Sequence, residues 1–422
     1  MVEKQVPGLT DHSARGWRGH PLLLILAVAL AVRVLWALAV PVMPVSDSAA
    51  YLELAQSVAA GRGFAWANGA MTAFWPPGTS FVYGAVFWLF GDGYGPIVLV
   101  NLLAGMAVVF LAYRAARALY GEAVALWTAG ILAVWPLMIQ FTTIMASEIL
   151  FLVPVLAALV LVFECKHPRW WHFVGFGLLV AAASYVRPTA IPLIVLIPLL
   201  AAFRAPSVRH LLGWIGLGGL VCALAIWPWS ERNTRLFGQP TGISTNFGTN
   251  LWMGNNSQSQ GTYQNFDQYI HIANEKRRDD QMKADAIAFI TEHPTQFLVL
   301  AAKRIVSTFD RETIGVVWNV EGLQKRFGQS GLVEGGLKLA STAYWYLVLL
   351  VAVAGAWLIA RREGWRVIGN PMLLIALFFA AVPAVIVGQD RYHMPLIPML
   401  ACCAAYAVHR WTQRFRPGPN RG

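Results

Sequence analysis

Apolar blocks of about 20 residues, the length needed to cross the hydrocarbon core of a bilayer as a helix, recur from one end of this chain to the other. They fall at 21–43, 94–113, 121–140, 147–164, 170–186, 188–203, 211–229, 340–360, 371–388 and 394–410. The expected fold is therefore an all-α polytopic membrane protein with about ten transmembrane helices. The apolar stretch 81–90 is too short for a span and reads as a re-entrant or interfacial piece. Only 13% of the 422 residues are charged. That is too little charge to coat several soluble domains, where about 25% is usual. Block 21–40 is longer than the core of a cleavable signal and is not followed by a small-residue cleavage site, so it reads as the first span. Cys165, Cys222, Cys402 and Cys403 lie within or beside apolar blocks and read as small packing residues, not as a disulfide framework or metal site.

Lysine and arginine placement orients the spans. With the N-terminus in the cytoplasm, the cytoplasmic segments hold Lys4, Arg15 and Arg18; Arg114 and Arg117; Lys166 and Arg169; Arg204 and Arg209; Arg361, Arg362 and Arg366; and Arg410, Arg414, Arg416 and Arg421. The short outer loops hold only Arg62, Arg187 and Arg391. Sixteen against three fits the rule that positive short loops stay inside. The net charge of +11 thus reads as topology and not as nucleic-acid affinity. Both termini are expected in the cytoplasm. The expected organisation is an N-terminal transmembrane module over 1–229, whose first outer loop spans 44–80; a large outer loop over 230–338; and C-terminal transmembrane helices with a basic tail over 339–422.

Polar chemistry gathers on the predicted outer side. From Asp47 to Val58 apolar residues recur at helical spacing, which predicts an amphipathic helix along the membrane surface ending at Gly61-Arg62-Gly63. Asp47 either caps this helix or stands as a general base at the mouth of a membrane cavity, and a cap can do both. Glu148 follows Ser147 in the first turn of the block at 147–164; it either compensates the helix dipole or forms a second carboxylate beside Asp47. Arg187 and Arg391 occupy two outer turns, Tyr185-Val186-Arg187-Pro188 and Asp390-Arg391-Tyr392-His393. Their guanidinium forks suit a phosphate, although a local Asp390–Arg391 pair would also satisfy the second. Arg33 lies inside the first span and needs a partner there, a carboxylate or a lipid phosphate. His393 is a further candidate donor. The stretch 246–263, rich in Asn, Gly, Gln and Ser, combines amides with aromatics, a mixture that suits carbohydrate as well as any ordered loop. Segment 267–292 is charged with helical patterning, and a more apolar helix follows Pro294. No zinc motif, nucleophile elbow, P-loop or dinucleotide fingerprint occurs.

The ordered set of Asp47 and Tyr51, Gly61-Arg62-Gly63-Phe64, Trp75-Pro76-Pro77-Gly78, Ser147-Glu148, Val186-Arg187-Pro188-Thr189, Met253-Gly254-Asn255-Asn256, and Arg391-Tyr392 with Pro395 and Pro398 resembles the family 39-like glycosyltransferases of the GT-C superfamily. These are similar to protein O-mannosyltransferases and to the aminoarabinose transferases that modify lipopolysaccharide. The resemblance implies a GT-C-like helix bundle in the bacterial cytoplasmic membrane. It also implies a polyprenyl-phosphate-sugar donor, inverting transfer on the outer face, and a lipid, glycan or protein acceptor. By position it makes Asp47 the catalytic base and Glu148 the second acid. It makes Arg187 and Arg391 donor-phosphate candidates, which Arg33 and His393 join by their own chemistry, and Tyr51, Trp75 and Asn255, within the matching motifs, candidates for substrate binding. Many relatives carry Asp-Glu where this chain has Asp47-Ser48, so no metal role is assigned, although a divalent metal is the one cofactor that such a site would admit. The competing readings are a lipid or glycan transporter and a non-catalytic glycan-assembly subunit. Against the first, there is no evident inverted repeat or matched pair of broken helices.

Overall fold

The computed structural model describes residues 20–414. Lys4, Arg15, Arg18, Arg416 and Arg421, which entered the charge count, lie outside the described residues. Among the described residues there is no β-strand, and the single isolated bridge pairs Ala65 with Met71. Among the described residues, five helices are long and apolar enough to cross a membrane: Pro21–Ala39, Tyr94–Tyr120, Ser147–Glu164, Val208–Phe237 and Gly331–Gly369. The pair Glu122–Ala133 and Pro136–Thr143, bent by 58°, makes a sixth if read as one span. Gly78–Phe90, Trp170–Val186, Pro188–Arg204 and Pro371–Val385 are shorter apolar helices, and Ile397–Arg414 closes the described chain. Leu23, Leu38, Trp88, Leu350 and Leu377 are exposed on the bundle's outside, the surface that a bilayer covers.

Proline explains where the helices break. Trp135 is extended before Pro136, as a residue preceding proline prefers, and the next helix starts with Pro136, which has no N–H to leave unpaired. Arg187 is likewise extended before Pro188. These two breaks matter to the interior and to the site respectively.

The first loop forms the predicted helix, Asp47–Ala59, followed by Gly61 and Gly63 with φ of 70° and 80°. Asp47 is the first helical residue; Ser46 occupies the cap position without a side-chain capping bond. The chain then returns through Trp75-Pro76-Pro77 to Gly78. A Cβ on Gly78 would meet the Tyr185 backbone at 2.7 Å, so the absent side chain lets this return lie directly on the turn that carries Arg187.

The large loop is folded onto the bundle. Its helices are Phe247–Gly254, Glu275–Glu292, Pro294–Phe309, Ile314–Val317 and Val320–Phe327. The flanking transmembrane helices extend into it, to Phe237 on one side and from Gly331 on the other. Glu275 accepts hydrogen bonds from Thr72 Oγ1 at 2.7 Å, Ala73 N at 3.0 Å and Thr245 Oγ1 at 3.2 Å, which joins this loop to the first one. Arg232 donates to the Thr72 carbonyl at 2.7 Å beside this junction. Asp279 accepts from Gly248 N and Thr249 N at 2.6 and 3.1 Å, satisfying the orphan amides at the start of Phe247–Gly254. A Cβ on Gly254 would lie 1.5 Å from the Ile386 carbonyl oxygen, so this helix seats against the end of Pro371–Val385 only because residue 254 is glycine.

Candidate active site

Where the first loop, the large loop and the turns at Arg187 and Arg391 converge, they enclose a cavity of about 650 Å³. Asp47, Tyr51, Trp75, Arg187 and Arg391 all line it. Residues separated by more than 300 positions are therefore brought together, with both arginines and one carboxylate at the same wall.

The charged groups form an alternating row. Arg187 Nη2 meets Glu148 Oε1 at 2.5 Å. The same Glu148 oxygen lies 3.8 Å from Arg391 Nη1, and Arg391 Nη1 donates to Asp47 Oδ2. Ser147 Oγ accepts from Arg187 Nε and Nη2 at 3.0 and 2.8 Å and contacts Glu148 Oε2 at 3.3 Å. The arginines are held from other sides too. The Arg391 guanidinium lies over Trp318 at 4.7 Å and Tyr392 at 5.3 Å and donates from Nε to Gln389 at 2.8 Å; Arg187 lies 6.0 Å from the Phe151 ring. Burial works against the Arg391 charge, but Asp47, Tyr392 and Glu148 together hold its pKa well above the ordinary value. Burial, with the nearby Asp47 and Glu148 charges, pushes the Tyr51 hydroxyl well above its ordinary range, so it stays protonated. The Tyr51 ring lies 5.5 Å from Trp75, Trp75 lies 5.5 Å from Phe74, and Phe74 stacks on Phe266 at 6.2 Å, giving an aromatic row along the cavity.

The two carboxylates are not equivalent. Asp47 faces the cavity, with its side chain 16% exposed, whereas Glu148 is 1% exposed and lies behind the arginines, outside the cavity lining. Glu148 is placed to balance the two cations; Asp47 is placed to meet a ligand.

Arg33, His393 and Asn255 are not brought to the cavity. Arg33 is fully buried and donates to the carbonyls of Ala29, Ala133 and Leu132 at 3.0, 3.0 and 3.3 Å. Two of these are acceptors freed by the break before Pro136, so its partner is broken helix backbone and neither a carboxylate nor a lipid phosphate. His393 is also fully buried. Its Nδ1 lies 2.7 Å from the Thr308 carbonyl and its Nε2 3.3 Å from Glu312, and the ring stacks on Trp345 at 4.1 Å. Asn255 bridges the Leu251 and Val385 carbonyls, each at 2.8 Å, and accepts from Arg304 at 3.0 Å. Asp390 does not pair with Arg391. Its Oδ2 accepts from Thr313 N, Thr313 Oγ1 and Ile314 N at 2.9, 2.9 and 3.0 Å, because the amides opening Ile314–Val317 need an acceptor.

Trp318, the platform beneath Arg391, had no signal in the sequence. Neither had buried Glu312, which sits in the charged run Asp310-Arg311-Glu312 that by composition belongs in water. Among the described residues, no three His, Cys, Asp or Glu side chains come together as a metal ion would need, and Asp47 and Glu148 are both engaged by arginines. The four cysteines are free thiols, three of them buried.

Residues 75–230 match the model of the dolichyl-phosphate-mannose-protein mannosyltransferase family, a segment that includes Trp75, Glu148 and Arg187. No curated protein matches the chain by sequence. Among solved structures, the Archaeoglobus fulgidus oligosaccharyltransferase tethered to an acceptor peptide aligns with a TM-score of 0.55 at 13% identity, over 94% of this chain and 50% of that one. The same organism's oligosaccharyltransferase AglB, in complex with an inhibitory peptide and a dolichol-phosphate, aligns with a TM-score of 0.55 at 12% identity, over 96% and 53%. ArnT from Cupriavidus metallidurans bound to undecaprenyl phosphate aligns with a TM-score of 0.46 at 18% identity, over 94% and 79%. The chain spans about half the length of the archaeal proteins. It shares the all-helical fold of the archaeal oligosaccharyltransferase structures.

Proposed function

We propose that this chain is a membrane glycosyltransferase that moves a sugar from a polyprenyl-phosphate donor to an acceptor hydroxyl on the outer face of the cytoplasmic membrane. The observation that carries this reading is the pair of arginines set beside one cavity-facing carboxylate in a cavity that apolar side chains also line. Among these are Phe379, Val382, Pro383 and Ile386, which suit the first isoprene units of a lipid donor. The mannosyltransferase family match and the dolichol-phosphate in the archaeal complex support a donor of this class. The excess of Lys and Arg on the predicted cytoplasmic side supports the outer-face assignment.

The chemistry requires one base and a cationic clamp. The acceptor oxygen attacks the anomeric carbon as the bond from that carbon to the phosphate oxygen breaks. The hydroxyl proton passes to Asp47, and the leaving group departs as polyprenyl phosphate, with its growing negative charge met by Arg187 and Arg391. Attack opposite the leaving phosphate inverts the anomeric centre. In the structure Arg391 engages Asp47. A donor phosphate that draws this guanidinium toward itself frees the Asp47 carboxylate to accept the hydroxyl proton. Glu148 balances both arginines and keeps them aimed. Lipid, glycan and protein hydroxyls are all acceptors consistent with this scheme.

The test is to reconstitute the purified protein in liposomes with a polyprenyl-phosphate sugar and extracted envelope acceptors. Mass spectrometry is expected to find the glycosylated acceptor and free polyprenyl phosphate in equal amounts. Donor that crosses the bilayer unchanged, with no phosphate released, would contradict transfer and favour a transporter.

A further inference from the structure

The charge inventory of the cavity says more about the sugar than the fold does. Among the described residues, three charged side chains line the cavity: Asp47, Arg187 and Arg391. All three are engaged: Asp47 with Arg391, and Arg187 with Glu148. The other polar groups on the wall are uncharged, and Ser244, Asn246, Thr249 and Asn250 come from the large loop. Two of these carry unused capacity. Asn250 Nδ2 donates to the Asn246 carbonyl at 2.9 Å, and Ser244 Oγ donates to Asn246 Oδ1 at 2.9 Å. That leaves Asn250 Oδ1 and Asn246 Nδ2 without a partner among the described residues, one acceptor and one donor on the cavity wall. The aromatic row of Trp75, Phe74 and Phe266 lines the same cavity, a surface for the apolar C–H face of a pyranose or furanose ring.

We infer that the transferred sugar is uncharged, a plain hexose or pentose whose hydroxyls pair with Asn246 and Asn250 while its C–H face rests on the aromatic row. This rests on the glycosyltransferase reading above. A sugar ammonium in this cavity would have only Asp47 to pair with, and that carboxylate is needed as the base. A sugar carboxylate or phosphate would compete for the two arginines that hold the donor phosphate. A charge left without a partner in an enclosed site is strongly disfavoured.

The test measures binding of three probes to the full chain in nanodiscs by quenching of tryptophan fluorescence: undecaprenyl-phosphate-mannose, undecaprenyl-phosphate-4-amino-4-deoxyarabinose and undecaprenol without phosphate. The mannosyl donor is expected to bind about tenfold more tightly than the amino-sugar donor. In Asn250→Asp, which supplies a carboxylate, that preference is expected to shrink or reverse. Equal or tighter binding of the amino-sugar donor to the unaltered chain would overturn the inference. Binding of undecaprenol as tight as that of both donors would instead overturn the donor-phosphate reading on which it rests.

Discussion

Arg391 donates to Asp47 across 344 positions of sequence while its guanidinium lies over the Trp318 ring at 4.7 Å. The pair joins the first loop to the last turn, and in the proposed mechanism it is the contact that the donor phosphate rearranges. Replacing Arg391 by Lys keeps a charge but removes the planar fork and most of the stacking on Trp318. Donor affinity is expected to fall by about tenfold in a fluorescence titration, with the fold retained. Unchanged affinity would place the donor phosphate elsewhere.

Glu148 lies between two cations and has almost no exposed surface. Substituting Gln leaves Arg187 and Arg391 with one anion between them. Breaking a buried ion pair from one side costs about 3 kcal/mol or more. The thermal unfolding midpoint in detergent is expected to drop by several degrees, and donor binding is expected to weaken less than in Arg391→Lys. A midpoint equal to that of the unaltered chain would show that Glu148 does not hold the arginines.

Much of this arrangement was legible before the fold was known. Asp47, Arg187, Arg391 and Glu148 stood out because apolar blocks mark the spans and charge bias sorts the loops, which leaves few charged residues at each outer turn; Tyr51 and Trp75 entered only with the family resemblance. The helix beginning at Asp47 followed from its periodicity. Arg33, His393 and Asn255 were polar candidates too, yet each found its partners in the interior. Sequence shows that a buried arginine needs acceptors, but it does not reveal that the break before Pro136 supplies them as carbonyls. Nor does it show that Glu312, in a charged run, turns inward to meet Trp135 and His393. Such pairings depend on tertiary packing between distant segments and leave no local pattern.

Ser46, next to Asp47, has φ 53° and ψ −126°, the one non-glycine residue with positive φ among the described residues. Ser48 N donates to the Val45 carbonyl across this turn at 3.0 Å. A side chain in this backbone region is strained. Ser46→Gly is therefore expected to raise stability by about 1 kcal/mol, read as a higher unfolding midpoint. A lower midpoint would mean that the serine side chain contributes more than the strain it imposes.

Glu312 is fully buried, and that burial raises its pKa above the ordinary carboxylate range, with His393 and Trp135 acting in opposition. A carboxyl raised on folding favours the folded state while it is protonated. Its contribution is complete below the unfolded value of about 4.3 and is lost as pH rises through the folded value. The unfolding midpoint of the chain is expected to decline over that window, and Glu312→Gln is expected to flatten the decline. An unchanged pH profile in the variant would assign the dependence to other groups.

The catalytic assignment is tested most directly by Asp47→Asn, measured as sugar transfer by the purified protein alongside donor binding and thermal stability. Asparagine occupies the same space but cannot accept the hydroxyl proton. Transfer is expected to fall by about a hundredfold or more, while donor binding holds or tightens as Arg391 is released and the fold persists. Transfer at the rate of the unaltered chain would contradict the account.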